Sequence, residues 1–268
     1  MPKNIPFVPA DDLSKLWRAI IEFDMLAPGD RILVGLSGGK DSMLLTAMLA
    51  EIKKFSPIPF DLACYTVNAM FAPNFPKQEL VDFCAYYGLE HYSDDVDIMA
   101  AHAKKGGSPC FTCAYFRRAA TNRRAKELGF NKVALAHHND DAVETFFMNV
   151  MTSGQLRTFL PVTPLSRSGI TVLRPLLYYR EQEIRDLVAK LGIKPLKNPC
   201  PYDGHTMRQD VKEHIAELNE RYPEVYDHLL AAMRSSDRQE LWPAKPTDKE
   251  MVAEFRAFWK RRPKETQP

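Results

Sequence analysis

Apolar residues fall at helical spacing through Leu13, Leu16, Trp17, Ile20, Ile21 and Phe23, behind two acids, which predicts a helix near the N-terminus. The run "RILVGL" at 31–36 predicts a buried strand, and "KDSMLLTAMLAEIKKF" at 40–55 the helix that follows it. "FDLACYTV" (60–67) reads as a second strand, and "KQELVDFCAYYG" (77–88) as a helix closing on Gly88. A loop, "KKGGSPCFTC" (104–113), leads into the helix "AYFRRAATNRRAKELG" (114–129). "KVALAH" (132–137) is a third strand, with "DDAVETFFMNVM" (140–151) as its helix. This alternation predicts an α/β fold, a parallel sheet with helices on both faces. Ligands collect at the carboxyl ends of the strands in such sheets. Beyond Gly154, "ITVLRPLL" (170–177) predicts a further strand and "REQEIRDLVAKLG" (180–192) a helix. A helical C-terminal region runs from Thr206 to about Trp259, broken by "LWPAKPTD". The expected division is a helical segment at 1–28, the α/β domain at 29–194, and a C-terminal region at 195–268.

The 268 residues suffice for one large domain with appended helices. With 36 basic and 34 acidic residues the net charge is only +2, so a polyanionic partner must be argued from local charge. The first residues carry early acids and no apolar core, unlike a secretory signal. No uncharged apolar run approaches membrane-spanning length, so no membrane partner is expected. The expected setting is a reducing cytoplasm, where five cysteines serve metal binding or catalysis more readily than disulfides.

"GLSGGKDSMLL" (35–45) follows a strand and opens a helix, as an anion-binding turn must. It is not a Walker loop: counting from Gly35, Lys40 stands where the second glycine is needed. Gly38 and Gly39 allow close backbone approach, Ser37 and Ser42 add hydroxyls, Lys40 adds charge, and Asp41 suits a magnesium ion. A plain helix entry, with Asp41 and Ser42 as caps, would use the same residues. "ALAHHNDDAVETFFMN" (134–149) gathers His137, His138, Asp140, Asp141 and Glu144 at a strand end. It reads equally as a capped helix or as a polar site.

Cys110-Phe-Thr-Cys113 and the distant Cys200 form a second candidate site. Zinc would need a fourth ligand, for which His205 is nearest, and a lone Cys-x-x-Cys could be a redox pair. Three cysteines also suit a cubane iron–sulfur cluster with one iron left without protein thiolate. Cys64 and Cys84 read as small core residues. Arg117, Arg118, Arg123, Arg124 and Lys126 load the helix after Cys113 with positive charge suited to nucleic-acid phosphates or to ordinary solvation.

"SGGKDS" resembles the PP-loop of the ATP pyrophosphatases, an adenine nucleotide alpha hydrolase-like fold whose members split ATP between the α and β phosphates. "HHNDDAVET" resembles the Gly-His-His-x-Asp-Asp-x-x-Glu-Thr element of the tRNA-modifying branch, with Ala136 in place of the glycine. Cys110-x-x-Cys113 with Arg117-Arg118, "RPL" at 174–176, "REQEI", "PC" at 199–200 and "ERYP" at 220–223 resembles the tRNA 2-thiocytidine synthetases. The likeness runs from about Asp30 to Tyr222. It implies an ATP-dependent sulfurtransferase with ATP, Mg²⁺ and a [4Fe-4S] cluster as cofactors. Asp41, Asp140 and Asp141 would then be catalytic. Ser37, Gly38, Gly39, Lys40, Asp41, Ser42, His137 and Glu144 would hold the nucleotide, Cys110, Cys113 and Cys200 the cluster, and Arg117 and Arg118 the RNA. Implied partners are tRNA and a sulfur donor such as a cysteine desulfurase or sulfide, with homodimerisation open.

Two positions depart from that pattern. Asp203 stands where the family has another cysteine, and Asn68 to Met70 replace an Asp-containing turn associated with adenine recognition. A lysidine-synthetase-like ligase would share the loop but not need the cysteines. A cluster enzyme of small nucleobases or sulfur metabolites, or a non-catalytic nucleotide sensor, are further alternatives.

Overall fold

The computed structural model describes residues 7–72, 74–105, 109–197, 200, 207–234 and 247–259. The chain divides into two compact units, Met1–Met233 and Arg234–Pro268. In the first, a 3₁₀ turn (Asp11–Leu13) leads into α1 (Ser14–Glu22) and then β1 (Arg31–Gly35), α2 (Lys40–Lys53), β2 (Asp61–Asn68) and α3 (Lys77–Tyr86). β3 (Glu90–Asp95), α4 (Ile98–Lys105), α5 (Pro109–Glu127), β4 (Lys132–Ala134) and α6 (Asn139–Ser153) follow. The hairpin β5 (Val162–Leu165) and β6 (Ile170–Leu173) precedes α7 (Glu181–Lys190), α8 (Met207–Arg221) and α9 (Val225–Arg234). The second unit contains α10 (Asp248–Trp259), started by a reciprocal cap in which the Thr247 amide and hydroxyl donate to Glu250 (both 2.7 Å).

The sheet runs β3-β2-β1-β4-β6-β5. Its first five strands are parallel and β5 is an antiparallel edge. The central strand β1 is buried on both faces, and its apolar run follows from that position. Helix α2 is buried from Ser42 to Ile52, which explains why its sequence lacks a polar face. Cys64 and Cys84 are fully buried core residues, as expected.

Three elements escape a pattern reading. β3 is "EHYSDD", an edge strand with no apolar alternation, and β5 contains Pro164, tolerated because an edge strand has no neighbour on one side. α4 lies mostly in a stretch, 98–103, for which the pattern predicted no element, and overlaps the expected loop only at its last two residues. Helix α5 also starts earlier than expected: Pro109, taken as a loop residue, occupies its first position, where the missing amide hydrogen costs nothing. Cys110 and Cys113 therefore sit three residues apart on the first turn of a helix rather than in a loop.

Tyr179, 2% exposed, ties the N-terminal helix to this frame. Its hydroxyl accepts from the Leu16 amide (3.1 Å), an otherwise orphaned first-turn donor of α1, and donates to the Asp12 carbonyl (2.6 Å). Tyr179→Phe leaves both groups unpaired. It should cost about 1–3 kcal/mol, read as a lower urea midpoint with unchanged slope.

Candidate active site

The loop after β1 is set by its own side chains. Ser42 Oγ accepts from the Ser37 amide (3.1 Å), lies 3.1 Å from Ser37 Oγ and donates to the Gly39 carbonyl (3.0 Å). Gly38 has φ +84°, and a Cβ there would stand 2.7 Å from Leu196 Cδ1, so only glycine fits. Its carbonyl accepts from the Leu196 amide (2.8 Å), which clamps the chain leading to Cys200 onto the loop. Gly39 is the N-cap of α2 and has no side chain to cap it, so the helix presents a positive end to an anion.

A cavity of about 410 Å³ opens over this loop at the carboxyl ends of β1, β2 and β4. Ser37, Asp41, Ser42, His137 and Asp141 line it, as do Arg117, Arg118 and Arg174. The size suits a nucleotide. Tyr65 and Val67 supply its β2 wall, whereas Asn68 serves a turn, its Oδ1 accepting from the Met70 amide (3.0 Å).

His138, passed over in favour of its neighbour by motif reading, joins the carboxylates. Its Nε2 is 3.5 Å from Asp141 and 3.8 Å from Asp41, and its Nδ1 is 3.6 Å from Asp140. Burial opposes its charge, but the three carboxylates prevail and its pKa is raised. His137 goes the other way. Burial, reinforced by Arg174 and Arg208 and opposed by Asp141, lowers it to about 4. Its Nδ1 is buried without a hydrogen-bond partner, and its ring lies 5.1 Å from that of Phe159.

Asp140 is not brought to the cavity. Arg180 grips both its oxygens (3.2–3.3 Å) and the Glu181 amide donates to it (2.8 Å). Burial opposes its charge, yet His138, Arg180 and that amide hold its pKa well below the usual range. Lys40 is held by Asp41 and Glu181, each at 3.0 Å. Burial disfavours its charge but the two carboxylates raise its pKa. Glu181 also takes Arg185 (2.9 Å) and Lys212 (2.5 Å), and against the effect of burial these cations bring it down to about 2. Glu144 is buried and paired with Arg208 at 3.0 Å; burial and the nearby Asp141 raise its pKa. Arg174 lies over Phe159, 4.9 Å from its centroid, and donates to Leu160 O (2.6 Å) and Thr163 Oγ1 (3.0 Å). Arg208 carried no signal beyond ordinary charge in the sequence, whereas Arg174 and Glu181 stood in the "RPL" and "REQEI" stretches, which named no partner for either.

Cys110, Cys113 and Cys200 line a second cavity, of about 190 Å³, with Phe71, Ile98 and Met99. Burial raises the Cys113 thiol, Arg117 hydrogen-bonds it and lowers it, and Cys200 and Cys110 lie near enough to raise it further. Among the described residues, no three His, Cys, Asp or Glu side chains gather tightly enough for a single metal ion. Ala114 and Arg117 line both cavities. Asp203, His205 and the basic residues after Trp259 lie outside the described residues.

A strand–turn–helix with this loop, on this sheet, defines a PP-loop protein, and the PP-loop domain family model matches residues 13–218. A tRNA-cytidine(32) 2-sulfurtransferase from Ralstonia pickettii is 33% identical over 226 residues, 83% of this chain and 71% of the relative. One from Dichelobacter nodosus is 35% identical over 222 residues, 81% and 82% of the respective chains. The chain belongs to the PP-loop family and, within it, to the family of tRNA-cytidine(32) 2-sulfurtransferases. The U34-tRNA thiolase NcsA from Methanococcus maripaludis, solved with its [4Fe-4S] cluster, shares the fold. It has a TM-score of 0.67 at 24% identity, covering 83% of this chain and 77% of that one.

The two histidines should leave opposite marks on stability. An unfolded histidine titrates near about 6.5. His137, lowered to about 4, contributes stability above that unfolded value and loses it as pH falls toward 4. His138, raised, contributes fully below the unfolded value and loses it as pH rises through its folded pKa. In urea titrations, His137→Gln should flatten the acid-side decline and His138→Gln the alkaline-side decline.

Proposed function

We propose that this chain is an ATP-dependent tRNA sulfurtransferase that forms 2-thiocytidine in the anticodon loop. The single observation that carries the reading is the shared wall. One turn of α5, Ala114 to Arg117, faces the PP-loop cavity and also the cavity of the three cysteines. Activation and sulfur delivery would therefore occur at adjoining sites.

The α2 N-terminus with Ser37, Gly38, Gly39 and Ser42 would cradle the departing pyrophosphate, and Lys40 would swing to it from Asp41 and Glu181. Asp41 and Asp141, both on the cavity wall, suit Mg²⁺, a hard cation that takes carboxylate oxygens. The unpartnered Nδ1 of His137 is a ready contact for bound nucleotide or base. Asp140 serves by holding the start of α7 in place, and Glu144 by backing Asp141. The cytidine carbonyl oxygen attacks the α-phosphorus and pyrophosphate leaves; sulfur then replaces the adenylated oxygen and AMP departs. Arg117 and Arg118 would hold RNA phosphates above the cavity.

Cys110, Cys113 and Cys200 fit a [4Fe-4S] cluster. They line a common apolar-walled space rather than converging on a point, as a polynuclear group requires, and Arg117 offers a hydrogen bond to sulfur. When bound, the cluster supplies an iron without a protein thiolate, able to carry exogenous sulfide. Residues 29–194 would form the nucleotide domain and 195–268 the loop that brings Cys200, together with a helical C-terminal region. No helix among the described residues is long and apolar enough to cross a membrane. A reducing cytoplasm suits five cysteines that form no disulfide. A cysteine desulfurase or sulfide as donor, and a homodimer as assembly, complete the proposal.

Asp41→Ala should cut tRNA-dependent AMP and pyrophosphate release by at least about 100-fold. Release of ADP by the wild type would overturn the PP-loop chemistry. After anaerobic purification, Cys110→Ala, Cys113→Ala and Cys200→Ala should each lose iron and visible absorption. Cys64→Ala and Cys84→Ala should retain both, and iron retained in all three of the first group would reject the cluster.

A further inference from the structure

Helix α8 contributes a guanidinium that neither the loop motif nor the cysteines account for. Arg208, in its first turn, sends Nη1 to Glu144 Oε2 (3.0 Å) and Asp141 Oδ1 (3.4 Å), and Nη2 to Thr145 Oγ1 (3.0 Å). Asp141 is a wall residue of the PP-loop cavity, and Glu144 lies buried one helical turn behind it. One of the two carboxylates that suit a divalent cation is thus already engaged by a positive charge. Lys212, one turn further along α8, holds Glu181, which holds Lys40 of the loop. Two cations of one helix therefore reach both sides of the nucleotide site.

We infer that Arg208 is a positioning residue that competes with Mg²⁺ for Asp141, and so sets the Mg²⁺ concentration at which the chain takes up ATP. The inference rests on the ATP-binding reading above. In the absence of nucleotide, Arg208 neutralises Asp141 and Glu144 and keeps two acids, three residues apart on α6, from repelling one another. A dication entering at Asp141 is repelled by the guanidinium and must displace it or share the carboxylate with it. Because Arg208 belongs to α8, arrival of the metal is felt by the helix that follows the Cys200 segment. The guanidinium is held by three residues of α6, and lysine could satisfy the charge but not this fork.

The test is calorimetric binding of a non-hydrolysable ATP analogue to the full chain across a Mg²⁺ series, for wild type, Arg208→Gln and Arg208→Lys. The glutamine variant should bind the analogue at several-fold lower Mg²⁺ than wild type, with affinity at saturating Mg²⁺ kept within about threefold. The lysine variant should stay near the wild-type Mg²⁺ midpoint. A purely structural Arg208 would give weaker binding at every Mg²⁺ concentration, and an unchanged or higher midpoint in the glutamine variant overturns the inference. Loss of affinity at saturating Mg²⁺ would make Arg208 a phosphate ligand instead, which also overturns it. No Mg²⁺-dependent analogue binding by the wild type would instead reject the ATP reading itself.

Discussion

The site depends on a carboxylate set between two helix starts. Asp140, in the first turn of α6, accepts from the Arg180 side chain and from the Glu181 amide at the beginning of α7. Helix N-termini carry partial positive charge, and bringing two together is unfavourable unless an anion lies between them. Asp140 is that anion. Glu181 then extends the junction to α2 through Lys40, so three helix starts converge on one region. Arg180 also lies over the ring of Tyr226, 3.5 Å from its centroid, and brings α9 into the same junction. The positive helix ends favour negative charge at this corner, while Asp41 and Asp141 give the cavity an acidic wall.

Much of this was legible in the chain. The run Arg31–Gly35 followed by Ser-Gly-Gly-Lys-Asp-Ser specifies strand, turn and helix locally, because backbone geometry and burial act there over a few residues. Cys64 and Cys84 were equally plain as core positions. The strands β3 and β5 were not, since an edge strand need not be apolar and tolerates proline. The polar partners were invisible for a different reason. Arg208 is an ordinary charge in sequence, and although Arg174 and Glu181 lie in motif stretches, their partners are set by neighbours up to 141 positions away, as with Lys40 and Glu181. His137 and His138 are adjacent and chemically identical, yet burial beside arginines separates one from the other, which sits among carboxylates. Only the packed state distinguishes them.

Helix α5 joins the two cavities through periodicity. Cys110 and Cys113 stand on its first turn, Ala114 and Arg117 on the next, and Arg118 and Thr121 continue along the PP-loop cavity. A loop in this position would have let the cysteines and arginines move independently. A rigid helix fixes thiols and guanidinium at a constant separation, so the hydrogen bond from Arg117 to Cys113 is built into the element.

The contact between Leu196 and Gly38 has a geometric consequence. Leu196 is hydrogen-bonded to the turn after β1, and Cys200 is only four residues further along the chain. An extended chain gains at most about 3.6 Å per residue, so four residues form a leash of about 14 Å. Whatever path the intervening backbone takes, the Cα of Cys200 stays within that radius of the Cα of Leu196, and the reach of the cysteine site is set by the length of its tether.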